Sequence, residues 1–190
     1  MEKMKIERNA FIYPMPVVLV GTMVEGRPNF MTVAWVGRVN FQPPMLAVAI
    51  GLQQYTNKGI TAHKTFSVNI PNADLVEKVD YCGIVSGKNQ DKSKVFEIFY
   101  GELPNTPMIK DCPVTAECKV IQTVNLPADY LYIGEIINAY SEARYLTNGM
   151  PDILKINPFT LSMPDNNYWH VGKNAGKAWN AGKNYKNYMK

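Results

Sequence analysis

The chain has 190 residues and a net charge of +4, and 46% of its residues are hydrophobic while 19% are charged. This composition is typical of one globular domain, with or without an extension, and it excludes a wholly disordered chain. The longest uninterrupted apolar run, residues 45–50, has six residues, whereas a membrane-spanning helix needs about 20. Residues 1–8 lack the apolar core of a signal peptide. We therefore expect a cytoplasmic protein without a membrane partner.

Cysteine and histidine are scarce. The chain has three cysteines, Cys82, Cys112 and Cys118, an odd number that is too small for a secreted disulfide scaffold. No histidine lies near Cys112 and Cys118 in the sequence. We expect buried free thiols and no metal site. With only His63 and His170 available, a catalytic triad or a histidine-rich metal centre is difficult to build. We assign no catalytic residue.

Basic residues are concentrated at the C-terminal end. Residues 173–190 contain five lysines and no acid, so residues 1–172 carry about −1. The tail also contains Trp179, Tyr185 and Tyr188, and interleaved basic and aromatic residues can bind single-stranded nucleic acid. However, nucleic-acid-binding domains usually carry a basic face on their folded body, and five scattered charges give modest affinity. We therefore divide the chain into a domain, 1–172, and a basic arm, 173–190, that is solvated or packs on a partner subunit. We expect no nucleic-acid partner.

The first half of the chain predicts mostly strands. Apolar and β-branched runs, period-two alternation and turn residues place them at residues 15–20, 30–36, 45–50 and 66–70. The Glu25-Gly26 pair predicts a turn that joins the first two strands in a hairpin. Residues 55–64 predict a short helix with Ile60 facing inward.

The second half predicts helices followed by long strands. Apolar spacing of three to four residues favours a helix over 72–83 and a second over 92–99, the latter with Val95, Phe96 and Phe99 on one side. Two long antiparallel strands follow at 114–124 and 130–139, then short strands and turns over 146–164 and a last strand at 168–171. This order lacks regular βαβ alternation. It fits a mainly β or α+β fold, an antiparallel barrel with helical insertions.

Phosphate-binding signals are present only in weak form. The chain has no Gly-x-Gly-x-x-Gly after a strand, and residues 83–88 are one residue short of a P-loop, with Asn89 at the magnesium-ligand position. We exclude nucleotide hydrolysis. Ser86, Gly87, Lys88 and Lys92 nevertheless suit an anion, because glycine allows close backbone approach, lysines supply charge and a following helix offers its N-terminus. The alternative, a polar turn between helices, is favoured by composition alone.

Two further polar clusters could complete a binding site. Residues 55–57 stand at a predicted helix start, where the same anion-binding argument applies. On one hairpin strand, Asn29 and Thr32 offer hydrogen bonds and Trp35 offers a flat apolar surface. Together the three clusters could hold a phosphate and a planar ring. Composition does not show whether they meet in space.

Sequence segments spread in order over nearly the whole chain form a recognisable series. They include Tyr-Pro-Met-Pro-Val-Val at 13–18, Asn-Phe-Met-Thr-Val-Ala-Trp at 29–35, Phe-Ser-Val-Asn at 66–69, Ser-Gly-Lys at 86–88 and Lys-Ile-Asn-Pro-Phe at 155–159. This series resembles the flavin reductase-like family, and within it the flavoredoxin group. The resemblance implies a split β-barrel that binds FMN non-covalently, usually as a homodimer with the flavin near the subunit interface.

The resemblance also implies which positions bind the flavin. They are Asn29, Met31, Thr32, Ala34, Trp35, Val36, Tyr55, Thr56, Asn57, Ser86, Gly87, Lys88 and Lys92. Within this set we assign to the phosphate Thr56, Ser86, Lys88 and Lys92. To the ribityl chain and the ring we assign Asn29, Thr32 and Trp35.

Three functions remain open at this stage. The first is a redox flavoprotein of the flavoredoxin type that keeps its FMN and passes electrons between a reduced donor and an acceptor. The second is an NAD(P)H-dependent flavin reductase that releases reduced FMN to a partner. In both, the cofactor carries the chemistry, which agrees with the scarcity of acid–base residues. The third and least favoured is a non-enzymatic binding module that uses the basic, aromatic tail.

Overall fold

The computed structural model describes residues 1–185, so Tyr188 and the end of the predicted basic arm lie outside the described residues. The strands are β1 (Met15–Pro16), β2 (Val18–Val24), β3 (Arg27–Val33), β4 (Val36–Asn40), β5 (Met45–Gly51), β6 (Thr65–Ile70), β7 (Ile98–Phe99), β8 (Met108–Ile109), β9 (Val114–Asn125), β10 (Asp129–Ser141), β11 (Leu146–Thr147), β12 (Met150–Pro151), β13 (Phe159–Ser162) and β14 (Asn167–His170). The helices are α1 (Thr56–His63), α2 (Val76–Ile84) and α3 (Ile153–Ile156), with 3-10 turns at Ala73–Leu75, Lys92–Lys94, Ala143–Tyr145 and Ala181–Asn184. Within residues 1–185, none of the helices has the length and apolar character needed to cross a bilayer.

Seven antiparallel strands form the main sheet, in the order β3-β2-β6-β9-β10-β5-β4. The two end strands, β3 and β4, are consecutive in the chain and are separated only by Ala34 and Trp35. The two ends of the sheet must therefore approach each other, and the sheet curls into a barrel. Over residues 1–185, β3 and β4 do not pair with each other, so the barrel has an open seam beside Trp35.

Two hydrophobic clusters stabilise this sheet. One contains buried side chains from β2, β5, β6, β9, β10 and α1, including Val48, Ile60 and Phe66. The other packs α2 against β2 and β3 through Leu19, Phe30 and Val79. As predicted, the three cysteines are free and buried. Burial raises the pKa of the Cys82 thiol to about 11 and that of the Cys118 thiol to about 12.

Most predicted elements are confirmed. The strands around 45–50, 66–70, 114–124, 130–139 and 168–171 are present, as is the first helix. The predicted strand 30–36 is divided at the seam, and the helix 72–83 begins as a 3-10 turn and continues as α2. The short helix α3 was not predicted.

The predicted helix over 92–99 is wrong. This segment contains one 3-10 turn, Lys92–Lys94, followed by the short strand β7, which pairs with β8. The two aromatic residues contact different neighbours, because the Phe96 ring lies edge-on to Phe30 at 5.9 Å and the Phe99 ring lies edge-on to Tyr140 at 5.8 Å. They therefore do not form one helical face.

Candidate functional site

A groove lies between β3, the start of α1 and the segment that follows α2. It consists of two cavities. The loop cavity, about 230 Å³, is lined by Met31, Gln54, Tyr55, Thr56, residues 82–87 and Lys92. The strand cavity, about 280 Å³, is lined by residues 31–35, residues 49–51, Gln54 and Asp129. Because they share Met31 and Gln54, the cavities are adjacent, and their combined volume exceeds the roughly 300 Å³ minimum of small-molecule sites.

The groove brings the three predicted clusters together. The loop cavity is lined by the predicted residues Met31, Tyr55, Thr56, Ser86, Gly87 and Lys92. The strand cavity is lined by Met31, Thr32, Ala34 and Trp35. Trp35 is half-exposed, so it is not a core tryptophan. Val36 lies just beyond, where it lines a neighbouring cavity of about 450 Å³ together with Ala34, Trp35 and residues 9–16.

Besides Val36, three predicted residues line neither cavity of the groove: Asn29, which lines a small adjoining cavity with Tyr55, Gly87 and Lys92, and Asn57 and Lys88. Asn57 is buried, and its amide is fully engaged: Nδ2 donates to the Gly51 carbonyl at 2.8 Å, and Oδ1 accepts from the Tyr132 hydroxyl at 3.0 Å. Asn57 therefore holds α1 against β5 and β10. Lys88 is exposed and lines neither cavity of the groove.

Asn29 carries a polar atom that has no protein partner. Its side chain is buried, and its Nδ2 donates to Thr56 Oγ1 at 2.9 Å. Its Oδ1 is buried without a hydrogen-bond partner among the described residues. A buried acceptor left without a donor costs about 1–3 kcal/mol. A ligand hydroxyl or N–H at this point would remove that cost.

Gly87 packs directly against the same carboxamide. A Cβ at position 87 would collide with Asn29 Oδ1 and would lie 3.2 Å from Tyr55 Cδ1. The absence of a side chain at position 87 therefore leaves room for the Asn29 carboxamide. It also allows the backbone at Gly87 to approach a bound molecule closely.

Most of the hydrogen-bond donors of Lys92 are already used within the protein. This lysine is 3% exposed, and its Nζ donates to the carbonyls of Cys82 at 3.1 Å and Val85 at 2.9 Å, at the end of α2. An ammonium group has three donors, so one remains for the loop cavity. Desolvation lowers the pKa of Lys92.

The expected helix N-terminus beside Lys92 is absent. The 3-10 turn at Lys92–Lys94 is preceded by Asp91, whose Oδ1 accepts from the Ser93 backbone N–H at 3.0 Å. A carboxylate therefore occupies the position at which an anion would have bound. The anion-binding capacity of this segment depends instead on Ser86, the Gly87 backbone and the lysines.

Further contacts fix α2 itself against β3. Thr32 Oγ1 donates to the carbonyl of Val79 on α2, and a Cβ at Gly83 would lie 3.4 Å from Thr32 Cβ. Sequence reasoning missed Gln54, which lines both cavities. The available signal was its position directly before the predicted helix start at Tyr55.

Residues 10–151 match the family model described as "Flavin reductase like domain". The chain belongs to the flavin reductase-like family. The matched range contains every residue of the groove, and this confirms the family resemblance seen in the sequence.

Known structures extend the similarity over nearly the whole chain. Flavoredoxin from Methanosarcina acetivorans is 53% identical, with coverage of 96% of this chain and 98% of that chain and a TM-score of 0.95. Flavoredoxin of Desulfovibrio vulgaris (Miyazaki F) is 35% identical, with coverage of 95% and 100% and a TM-score of 0.86. A split-barrel domain protein from Shewanella frigidimarina NCIMB 400 is 20% identical, with coverage of 87% and 86% and a TM-score of 0.77. The predicted split-barrel fold is confirmed.

Proposed function

We propose that this protein binds FMN in the groove and acts as a flavoredoxin-type redox flavoprotein that passes electrons between a reduced donor and an acceptor. The observation that carries the proposal is that residues from all three polar and aromatic clusters line the two adjacent cavities of one groove. Similarity to two flavoredoxins over at least 95% of the chain supports it. A bound flavin would supply the electron-transfer chemistry, while the protein supplies binding, orientation and electrostatics.

The strand cavity suits the planar ring. Met31, Ala34 and Trp35 offer apolar surface, and the Gln54 amide offers a hydrogen-bonding group where the two cavities join. Ligand sites commonly combine a largely apolar lining with a few polar groups that fix orientation. Thr32 already donates its hydroxyl proton to Val79, so it would serve as an acceptor.

The loop cavity suits the ribityl chain and the phosphate. The unpartnered Asn29 Oδ1 would accept a hydrogen bond from a ribityl hydroxyl. The Ser86 hydroxyl, the Gly87 backbone and the remaining Lys92 donor would bind phosphate oxygens. Exposed Lys88 would add charge from outside the cavity. These assignments give the phosphate several donors but only one fully buried cation, Lys92.

The second candidate is an NAD(P)H-dependent flavin reductase that releases reduced FMN. The two functions use the same groove and differ in how tightly FMN is retained. A protein that purifies yellow, with flavin absorption, supports a retained cofactor. A colourless protein that oxidises NAD(P)H only with added FMN supports the reductase. The electron donor would then be a nicotinamide in the second case, and a nicotinamide or a redox protein in the first.

A fluorescence-quenching titration with FMN and riboflavin tests the proposed site. Charge-assisted hydrogen bonds contribute roughly 1.5–3 kcal/mol each, so riboflavin should bind at least about tenfold more weakly than FMN. Lys88→Ala should weaken FMN binding but not riboflavin binding. Lys119→Ala, which removes an exposed lysine on β9, is the control. Equal affinity for the two ligands would contradict the phosphate assignment, and failure to bind either would contradict the proposed function.

A further inference from the structure

The turn between β2 and β3 contains an unfavourable residue. Glu25 adopts a φ of 51° and Gly26 a φ of 78°. The turn between β11 and β12 has nearly the same geometry, with φ of 52° at Asn148 and 76° at Gly149. Asparagine tolerates this left-handed conformation, and Asn-Gly is the preferred pair in such turns. The geometry of the turn therefore does not account for glutamate at position 25.

Packing does not dictate the glycine in either turn. No described heavy atom outside the chain neighbours lies within 4 Å of the position that a Cβ would occupy at Gly26 or Gly149. Backbone strain that is retained in a structure commonly marks a functional constraint. The Glu25 side chain is therefore the part of this turn that requires an explanation.

The Glu25 carboxylate contacts the start of α1, more than 25 residues away in the chain. Its Oε2 accepts a hydrogen bond from the Tyr55 hydroxyl at 2.8 Å, and its Oε1 accepts from Lys58 Nζ at 2.9 Å. Lys58 Nζ also lies 5.2 Å from the centre of the Tyr55 ring. The hydrogen bond from Lys58, followed by that from Tyr55, lowers the pKa of Glu25. An ionised acceptor thus holds the Tyr55 hydroxyl.

Tyr55 links this surface contact to the groove. Tyr55 lines the loop cavity, and its Cδ1 would lie 3.2 Å from a Cβ at Gly87, the same position that the unpartnered Asn29 Oδ1 approaches. A single bond to Glu25 at the hydroxyl end and packing at Gly87 together define the ring orientation. A wall that is fixed before the ligand arrives reduces the ordering cost of binding.

We infer that Glu25 is a positioning residue for the flavin site: its carboxylate holds the Tyr55 ring against Gly87 and so preforms the loop cavity. The inference rests on the proposed function, because it concerns affinity for FMN. Glu25 itself lines neither cavity of the groove. It acts through Tyr55, which does line the loop cavity.

Glu25→Asn separates positioning from a structural role. Asparagine suits the turn conformation, so the melting temperature of the apoprotein should stay the same or rise. Its shorter side chain does not reach the Tyr55 hydroxyl, so the dissociation constant for FMN should increase about threefold to tenfold, the equivalent of one lost hydrogen bond. A residue that serves only the turn would leave FMN affinity unchanged or would alter it in parallel with stability.

A double-mutant cycle with Tyr55→Phe completes the test. Tyr55→Phe should weaken FMN binding to a similar degree, and adding Glu25→Asn to it should cause no further loss. Glu97→Gln is the matched control, because Glu97 forms an exposed ion pair with Lys110 beside a separate cavity. It should bind FMN as the wild type does. Wild-type affinity in Glu25→Asn, or additive losses in the double variant, would overturn the inference. Absence of FMN binding by the wild type would instead overturn the proposed function.

Discussion

Asn29 Nδ2 donates a hydrogen bond of 2.9 Å to Thr56 Oγ1 and thereby joins strand β3 to the first turn of α1. Both side chains are buried. The bond orients the carboxamide so that its oxygen faces Gly87 without a protein donor. This pair connects two of the clusters that the sequence leaves separate, and it provides the most direct test of how the groove is organised.

Removal of the acceptor at position 56 should affect both folding and binding. Thr56→Val keeps the shape of the side chain but leaves Asn29 Nδ2 without a partner. We expect the free energy of unfolding to fall by about 1–3 kcal/mol and FMN affinity to fall roughly tenfold. Urea denaturation and FMN titration measure the two effects. Thr123→Val, at an exposed position on β9, controls for loss of a hydroxyl; a Thr56→Val protein with wild-type affinity would exclude this bond from the site.

Gly87→Ala should displace the Asn29 carboxamide beside the loop cavity. The new Cβ would collide with Asn29 Oδ1, and the carboxamide would have to leave its bond with Thr56. We expect FMN affinity to fall at least about tenfold, as one buried hydrogen bond and the close backbone approach are both lost. Gly37→Ala is the matched control, because no described atom outside the chain neighbours lies within 4 Å of a Cβ at that position. Equal FMN binding by the two variants would contradict the proposed role of Gly87.

A buried carboxylate should make the fold sensitive to acid. Glu117 is fully buried and accepts hydrogen bonds from Asn138 Nδ2 at 2.7 Å, Leu103 N at 2.8 Å, Tyr140 OH at 2.9 Å and Glu102 N at 3.1 Å. Burial alone would raise its pKa, but these bonds outweigh burial and lower the pKa below the ordinary value of 4.5.

Because the pKa of Glu117 is lowered in the folded protein, the fold should become less stable in acid. A carboxyl group whose pKa is lower in the folded state stabilises the fold above its unfolded pKa, and this contribution is lost as the pH falls through the folded pKa. The free energy of unfolding should therefore decrease below about pH 4.5. Glu117→Gln should lower it by about 2–4 kcal/mol at pH 7 and flatten its decline in acid. Exposed Glu77 supplies the control, Glu77→Gln; an unchanged acid profile in Glu117→Gln would contradict the assignment.

We propose that the protein is a homodimer and that residues 173–190 form an arm that contacts the partner subunit or covers the flavin. Trp179 is 95% exposed in the described chain, and large aromatic side chains are costly to leave in water. Truncation after Val171 should raise the dimer dissociation constant or the rate of FMN loss, as measured by analytical ultracentrifugation and fluorescence. Trp179→Ser should reproduce part of the effect. A truncated protein that remains dimeric, retains FMN and melts at the same temperature would show that the arm is dispensable.

The fold could be predicted where local pattern and tertiary contact agree. Alternation over 66–70 reflects a strand whose neighbours are β2 and β9, and the pattern suffices. Over 92–99 the apolar spacing also fits a helix, but Phe96 and Phe99 contact rings on different elements. Those contacts depend on Phe30 and Tyr140, which are distant in the sequence. Local spacing therefore could not reveal them.

The candidate site likewise could be predicted from the sequence only in part. Asn29 and Asn57 have identical chemistry and both are buried. The Asn57 oxygen and nitrogen both have protein partners, Tyr132 and Gly51, whereas the Asn29 oxygen has none among the described residues. Lys92 likewise carries the charge that an anion site needs, but most of its donors hold the end of α2. Residue type identified the candidates. Only the long-range contacts show which groups remain available.

The hydrogen bonds from Lys92 to the end of α2 have a consequence for protein engineering. The ammonium group holds the carbonyls of Cys82 and Val85, so the stretch between positions 85 and 92 is anchored at its base independently of the side chains within it. Residues 88–90 are exposed and can be exchanged as a cassette while both anchor points are kept. Such a cassette provides a place to alter cofactor preference, for example toward flavins with a larger head group, without redesigning the barrel.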